Sequence, residues 1–405
     1  MVKGEIIIVG DEILSGEVQD TNSFELAKQL SSAGFFIERI TVVGDEQKEI
    51  VNVLLTAIKK ADFIILTGGL GPTWDDKTVK AVAQALNRPL EINKEAYQHL
   101  KACLAKHGKP FLPSHEKMVL LPAGSKPLGL AFHACGFKLI FDEKPLYFLP
   151  GVPKQMNQIL KAQVLPDLNI IFPNISILYK KTLRIFGISE TEVSNKISSL
   201  LASFPEIKVS SLPCFPEVHL VLRANKKEDL DKLIKEIKTI LGNDIFGEDT
   251  ETMPEVVGKL LLKKGYHLSV AESLTGGLIG HLITSVSGSS NYFDRGVVTY
   301  SNQAKIELLG VPKEIVNKYG PVSEKTARYM AEGVKKLAKS DIGIAVTGYA
   351  GPTAGPEAEV GTVFIGLATP TKIEVTEWHF NGDRSEIKML AAMTALDKLR
   401  RYLIL

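Results

Sequence analysis

The stretch that most limits what this chain can fold into is Ala61-Asp-Phe-Ile-Ile-Leu-Thr-Gly-Gly-Leu-Gly-Pro-Thr-Trp-Asp-Asp76. Phe63–Leu66 is a short apolar run, read as a strand buried on both faces of a parallel sheet. It enters Thr67-Gly68-Gly69-Leu70-Gly71, where glycines let backbone N–H groups come close to a ligand such as a phosphate. Asp75 and Asp76 follow, oxygen donors suited to a hard divalent cation, and a helical pattern starts at Val79. Strand, glycine turn and helix in that order are the unit of an α/β sheet.

The same rhythm fills the first part of the chain. Glu5–Val9 and Ile37–Val43 read as strands, with helices over Asn22–Ala33 and Ile50–Lys60. Lys138–Phe141 and Leu146–Leu149 read as a strand pair that ends in Pro150-Gly151. Residues 1–170 are therefore expected to form a parallel sheet covered on both faces. Its ligand should lie beyond the carboxyl ends of the strands. There the candidates are Gly10, Asp11, Glu12, Asp20, Asn22, Thr67, Gly68, Gly69, Gly71, Thr73, Asp76, Pro150 and Gly151, with Glu12, Asp75 and Asp76 as metal ligands. Aspartates after glycine also serve as helix caps and turn residues, and Asp20 fits that role equally well.

Residues 171–250 read as a small α+β connector in a βαβα-like order. A strand over Leu183–Phe186 leads to a helix that Ser189 and Glu192 open as a capping box. Val218–Leu222 alternates as a strand, and Glu228–Leu241 is an amphipathic helix stopped by Gly242. Gly247–Thr252 reads as a polar linker. No chemistry is visible in this module, which suits a connector or dimerisation role.

Residues 251–405 form a second α/β layer structure, with strands at Leu268–Val270, Val297–Tyr300, Ile342–Val346, Thr362–Leu367 and Lys372–Phe380. Four segments close strands here: Ala271–Gly277, Tyr300–Lys305, Thr347–Pro352 and Gly382-Asp383-Arg384. A serine at a strand–helix turn lies beside the positive end of the helix, which attracts an anion. Ser273 or Thr275 would equally suit as a simple N-cap. Lys305, one turn into its helix, is positioned to face Ser273 in the manner of Ser–Lys nucleophile–base pairs. Backbone N–H groups of Thr347–Pro352, Gly348 and Gly351 among them, suit an oxyanion hole or a phosphate, and Arg384 suits bidentate phosphate binding. The loop 353–360 is irregular.

Composition sets the remaining bounds. The 405 residues call for two or three domains, and 45% apolar with 23% charged residues is ordinary for a soluble globular protein. A net charge of +2 without any Lys/Arg block gives no case for nucleic acid. Apolar runs fall far short of the ~18 residues of a membrane span, and no secretory signal is visible. Cys103, Cys135 and Cys214 form no CxxC pair, and the eight histidines show no zinc spacing. The expectation is a cytoplasmic protein.

Gly10–Gly16, Asp20-Thr21-Asn22, Thr67–Thr73 with Asp75-Asp76, and Leu149–Pro153 resemble the molybdopterin-binding fold, and more closely the first domain of the CinA (competence/damage-inducible) family. Ala271–Gly277, Tyr300–Lys305, Gly320–Ser323, Thr347–Pro352, Gly361-Thr362-Val363 and Gly382-Asp383-Arg384 resemble its C-terminal domain, the nicotinamide mononucleotide deamidase. The resemblance implies two hydrolyses. The first domain would cleave ADP-ribose to AMP and ribose 5-phosphate with a divalent cation. The last would convert nicotinamide mononucleotide to nicotinate mononucleotide and ammonia with no cofactor.

In that reading Ser273 is the nucleophile and Lys305 the base. Tyr300 and Thr347 orient or polarise the amide, Arg384 grips phosphate, and Thr275, Gly276, Gly277, Gly348 and Gly351 surround the substrate. The family also implies a KH-like connector and a homodimer. RNA binding is not expected, because the connector has no G-x-x-G loop. A rival from another class is a regulatory protein, linked to competence or DNA damage, that binds nucleotide or molybdopterin without turning it over.

Overall fold

The computed structural model describes residues 2–405 except 133, 174, 176–178 and 356–357, so part of the irregular 353–360 loop lies outside the described residues. The chain divides into two units, Met1–Leu178 and Tyr179–Leu405.

The first unit is built on one sheet, in the order Phe36–Val43, Lys3–Val9, Phe63–Thr67, Lys144–Leu149, Gly136–Phe141, Lys126–Leu128. The first four strands run parallel, as expected of a parallel-sheet domain, and Gly136–Phe141 runs antiparallel to both its neighbours. The reason is the tight turn at Asp142-Glu143, both at positive φ, which folds the chain straight back instead of through a crossover. Period-two alternation serves both faces. Ile7, Val9, Ile64 and Leu66 pack under helices Gln47–Ile58 and Thr78–Ala85. Ile6, Ile8 and Ile65 pack under Asn22–Ser32 and Pro153–Ile159. In register, Ile8 lies beside Thr67 and Thr67 beside Leu149. The turns after Val9, Thr67 and Leu149 therefore open at one sheet edge.

The second unit begins with an antiparallel sheet, ordered Lys208–Cys214, Glu217–Ala224, Tyr179–Ile185, Ile245–Glu248, under helices Glu190–Leu201 and Lys227–Leu241. Ser189 and Glu192 form the expected capping box. Two strands escaped the sequence reading. Lys208–Cys214 is an edge strand with little apolar pattern, and Ile245–Glu248, read as the start of a linker, pairs with Tyr179–Ile185. Both are edges, where polar residues are tolerated and local pattern is weak.

The last sheet runs Phe293–Val298, Leu268–Glu272, Ile342–Gly348, Thr362–Ala368, Ile373–His379. The first three strands are parallel and the last two antiparallel. Val270, Ile344, Val346 and Ile365 face the long helix Arg384–Leu403 and helix Met253–Lys264. Ala271 and Ala345 face Met330, Ala331 and Val334 of helix Glu324–Ala338, where small residues let the helix lie close. The register sets Glu272 beside both Val298 and Val346, so Ser273, Thr299 and Thr347 emerge together. Tyr300, expected inside a strand, belongs to the turn beyond it.

Candidate active site

Ser273 prolongs its strand by one bond, its N–H donating to Val346 O at 2.9 Å. The chain then turns through Gly276 and Gly277, at φ 62° and 98°, a region closed to most side chains. The helix that follows, Leu278–Thr284, has its N–H groups already answered. The Glu272 carboxylate, 1% exposed, accepts from Gly277, Ile279 and Gly280 at 3.0, 3.0 and 2.8 Å. The anion expected at this N-terminus is therefore one of the chain's own side chains, which fixes the turn carrying Ser273. Thr275 does not face the cavity; its Oγ1 is buried without a partner. Gly276 and Gly277 shape the turn and do not line the cavity either.

Lys305 sits in the first turn of helix Asn302–Leu309, whose start is capped by Ser301 Oγ. The lysine is 2% exposed, and its Nζ lies 3.0 Å from Ser273 Oγ, which is itself 7% exposed. The other neighbours of Nζ are the carbonyls of Thr299 at 2.9 Å and Tyr300 at 3.4 Å. Burial with no carboxylate among these partners pulls the Lys305 pKa from 10.5 down to about 8. The ammonium donates one N–H to Ser273 Oγ and the others to the two carbonyls. On losing a proton the amine keeps two N–H bonds for the carbonyls and turns its lone pair to the serine hydroxyl.

A cavity of about 250 Å³ opens over this pair, lined by Tyr300, Asn302, Gly348, Tyr349, Gly351 and Arg384 among others. Arg384 begins the long helix behind its cap Asp383, and donates to Gly351 O at 2.6 Å and Tyr300 Oη at 2.9 Å. These bonds hold the guanidinium against the cavity wall. Thr347 is absent from the lining; its hydroxyl donates to Pro321 O at 2.8 Å and ties its strand end to the loop between helices Lys313–Tyr319 and Glu324–Ala338. Asn302, not singled out from sequence, stands at the cavity beside Lys305. Its signal was present, a polar residue at the first helical position after a capping serine.

The first unit holds a cavity of about 430 Å³ at its own sheet edge, lined by Gly10, Glu12, Gly68, Gly69, Gly71, Asp75, Asp76, Pro150 and Gly151. The remaining sequence candidates support it from behind. Thr67 donates to Pro150 O at 2.9 Å and Asn22 Nδ2 to Gly151 O at 2.7 Å, which ties the turns together. Asp20 Oδ1 accepts from Ser23 N at 2.9 Å, the capping role. Asp11 and Asp45 exchange backbone-to-carboxylate bonds at 3.0 and 3.1 Å. Thr73 donates through its N–H and its hydroxyl to Asp76, at 2.8 and 2.5 Å. Gly68 is demanded by packing, since a Cβ there would lie 2.2 Å from Val9 O.

Asp45 also faces this cavity and lay outside the sequence candidates, although Gly44-Asp45-Glu46 after a strand repeats Gly10-Asp11-Glu12 and was the signal that could have found it. Burial raises its pKa, and the nearby carboxylates of Asp11, Glu12 and Asp75 push the same way. Asp75 Oδ1 is buried with no hydrogen-bond partner. No cluster of three or more His, Cys, Asp or Glu that would hold a metal occurs among the described residues. The donor set nevertheless fits Mg²⁺, which takes one or two carboxylates and completes its shell with water and substrate phosphate. An orphaned carboxylate oxygen is what such a cation would satisfy, in a group that a Thr73 hydrogen bond and the nearby Lys117 and Lys77 already hold in its charged form.

Comparison with known proteins agrees along the whole length. A "CinA-like protein" of Geotalea daltonii is 41% identical over 411 residues, covering 100% of this chain and 99% of that one. The chain belongs to the CinA family. Another CinA-like protein, from Geobacter sulfurreducens, is 40% identical, with 98% of each chain covered. Residues 250–403 match the CinA C-terminal domain, 5–170 the "Probable molybdopterin binding domain", and 180–247 the "Damage-inducible protein CinA KH domain". Among solved structures, the competence/damage inducible protein CihA of Agrobacterium tumefaciens is 35% identical with a TM-score of 0.36, covering 38% of this chain and 98% of that one. The Ser273–Lys305 cavity thus lies within the CinA C-terminal domain, and the carboxylate cavity within the molybdopterin-binding-like domain. Among the described residues, no helix is long and apolar enough to cross a membrane.

Proposed function

We propose that this CinA-family chain is a bifunctional hydrolase of pyridine-nucleotide fragments, deamidating nicotinamide mononucleotide in its C-terminal domain and cleaving ADP-ribose in its first. The observation that carries the first activity is the buried Lys305 Nζ at 3.0 Å from Ser273 Oγ, with a pKa lowered to about 8. An unpaired, desolvated lysine next to a serine is costly to keep and suits a base that must accept a proton near neutral pH.

In the proposed reaction Ser273 Oγ attacks the carboxamide carbon while its proton passes to Lys305 Nζ. The C–N bond then breaks, and Lys305 returns the proton to the departing amine, which leaves as ammonia. Water attacks the resulting ester with Lys305 again as base, releasing nicotinate mononucleotide and restoring Ser273. Arg384, steadied by Tyr300 and Gly351, offers its remaining donors to the phosphate. Thr347 acts through Pro321 and is a positioning residue.

In the first domain, Asp75 with Asp76 or Glu12 would hold a divalent cation, which offsets charge on a phosphoanhydride and lowers the pKa of water. The glycine turns shape the floor against which the pyrophosphate would rest. One observation favours a second reading for this domain. Asp11, Asp20 and Asp76 each spend a carboxylate on a turn, as they would in a domain that binds nucleotide without cleaving it. The deciding test is ammonia release from nicotinamide mononucleotide and AMP release from ADP-ribose, each measured with Mg²⁺ or Mn²⁺ present. Absence of both products from the purified, folded chain would sink the proposal; absence of AMP alone selects the binding reading.

A further inference from the structure

A second cavity of the Tyr179–Leu405 unit measures about 720 Å³ and shares no lining residue with the Ser273 cavity. It lies where the connector, through Phe186, Pro216 and Asp244, meets strand Ile373–His379 and the far half of helix Arg384–Leu403. Its size falls within the roughly 300–1,000 Å³ typical of small-molecule sites, and junctions between modules are a favoured place for them.

Its cations are not equivalent. Lys372 pairs with Glu374 at 2.5 Å, and Arg401 pairs with Asp397 at 2.7 Å and Asp244 at 3.0 Å. Lys398 has no carboxylate in salt-bridge reach among the described residues; its Nζ donates to Thr376 Oγ1 at 3.3 Å. Burial lowers its pKa and outweighs the opposing pull of the Glu374 carboxylate, which Lys372 already holds in a salt bridge. Thr376 Oγ1 also accepts from Trp378 Nε1 at 3.1 Å, so one hydroxyl fixes an ammonium and an indole side by side. Trp378 stacks on Phe380 with ring centroids 5.9 Å apart and planes 7° from parallel, and it remains 42% exposed. An open aromatic platform thus adjoins a desolvated lysine that makes no salt bridge among the described residues.

We propose that this cleft is a second small-molecule site, taking a planar aromatic ring that bears one anionic group, a carboxylate or a phosphate. The ring lies on the Trp378–Phe380 pair and the anion meets Lys398. The site is independent of the proposed hydrolytic activities and is tested by binding. The chain has two tryptophans, so Trp74→Phe leaves Trp378 as the single fluorescent indole.

Titration of that variant with nicotinate, and separately with adenosine 5′-monophosphate, is expected to quench Trp378 saturably with at least one of them. Nicotinate alone marks a carboxylate site, the nucleotide alone a phosphate site. Cyclohexanecarboxylate, an anion without the ring, is expected to give no response. Adding Lys398→Met should weaken binding about tenfold, with circular dichroism and ligand-free hydrolysis of nicotinamide mononucleotide unchanged. Thr376→Val, which uncouples the indole from the ammonium, should weaken it too and serves if the lysine variant misfolds. The idea is overturned by no saturable change with either aromatic anion, or by equal affinity with and without Lys398. It is also overturned if Trp378 emission tracks protein concentration alone while sedimentation shows association, since a second copy of the chain would then cover the cleft.

Discussion

The two candidate catalytic sites both sit at carboxyl ends of parallel strands, yet they hold their reactive groups in opposite ways. In the C-terminal site Ser273 and Lys305 are withdrawn from water and already face one another at 3.0 Å. In the first domain the carboxylates stand at the rim, several committed to turns, and Asp75 Oδ1 lacks any partner. Burial alone prepares the first site, because desolvation tunes the lysine and the neighbouring carbonyls aim it. Carboxylates so close together repel, and in the proposed reading a bound cation would supply the positive charge that offsets this. On that proposal one architecture serves two strategies, preorganisation by the protein and completion by what binds.

The comparison breaks most sharply at Ser273. Ser273→Ala should lower ammonia release from nicotinamide mononucleotide about ten-thousand-fold and leave AMP release from ADP-ribose unchanged. A residual rate near wild type would reject Ser273 as nucleophile. The reciprocal experiment is chelation. EDTA, or Asp75→Asn in the presence of Mg²⁺, should cut AMP release about a hundredfold without touching ammonia release. Loss of both activities on chelation would show that the two sites do not differ as argued.

Smaller effects sharpen the contrast. Arg384→Lys keeps the charge but not the forked bonds to Gly351 and Tyr300, and should raise KM for nicotinamide mononucleotide about tenfold with kcat little changed. A fall in kcat at constant KM would assign Arg384 to the chemical step instead. With neutral Lys305 as the proposed base, kcat/KM for the amide should rise with pH, about tenfold per pH unit, and level off near pH 8.

Stability carries the same signature with a definite sign. The folded lysine has a lower pKa than the unfolded one, so the unfolded chain holds more protons between about 8 and 10.5. The penalty for burying the charge is complete below pH 8 and fades as pH rises to 10.5. Denaturant melts of wild type and Lys305→Met should therefore converge over that window; a constant gap would mean that the lysine is not desolvated. The smallest effect belongs to Asp20, whose carboxylate caps a helix. Asp20→Ala should cost about 1 kcal/mol and spare both activities.

Much of the fold was legible because its signals are local. Phe63–Leu66, the glycine turns and the Ser189–Glu192 capping box are each specified within a few residues, and each appears where expected. The failures cluster where the deciding partner is distant. Lys208–Cys214 becomes a strand because Glu217–Ala224 lies beside it, and Ile245–Glu248 because Tyr179–Ile185 does. Thr67, Thr347 and Asn22 are polar residues of the sequence motifs, but their hydrogen bonds run to loop carbonyls distant in the chain, those of Pro150, Pro321 and Gly151. Asp45, in a Gly-Asp-Glu turn that repeats Gly10–Glu12, and Asn302 lay outside the sequence candidates, and the fold sets both in the cavities.

By itself the sequence determined the order of strands and helices, the turns that end them, and the residue types available at each sheet edge. These follow from backbone preferences and hydrophobic period, which neighbours in the chain settle. Only the tertiary structure decided that Lys305 loses its water beside Ser273, that Glu272 closes the helix start, and that Lys398 and Trp378 share the Thr376 hydroxyl. Those properties depend on solvent exclusion and on distances between segments far apart in the chain, and neither exists until the elements pack.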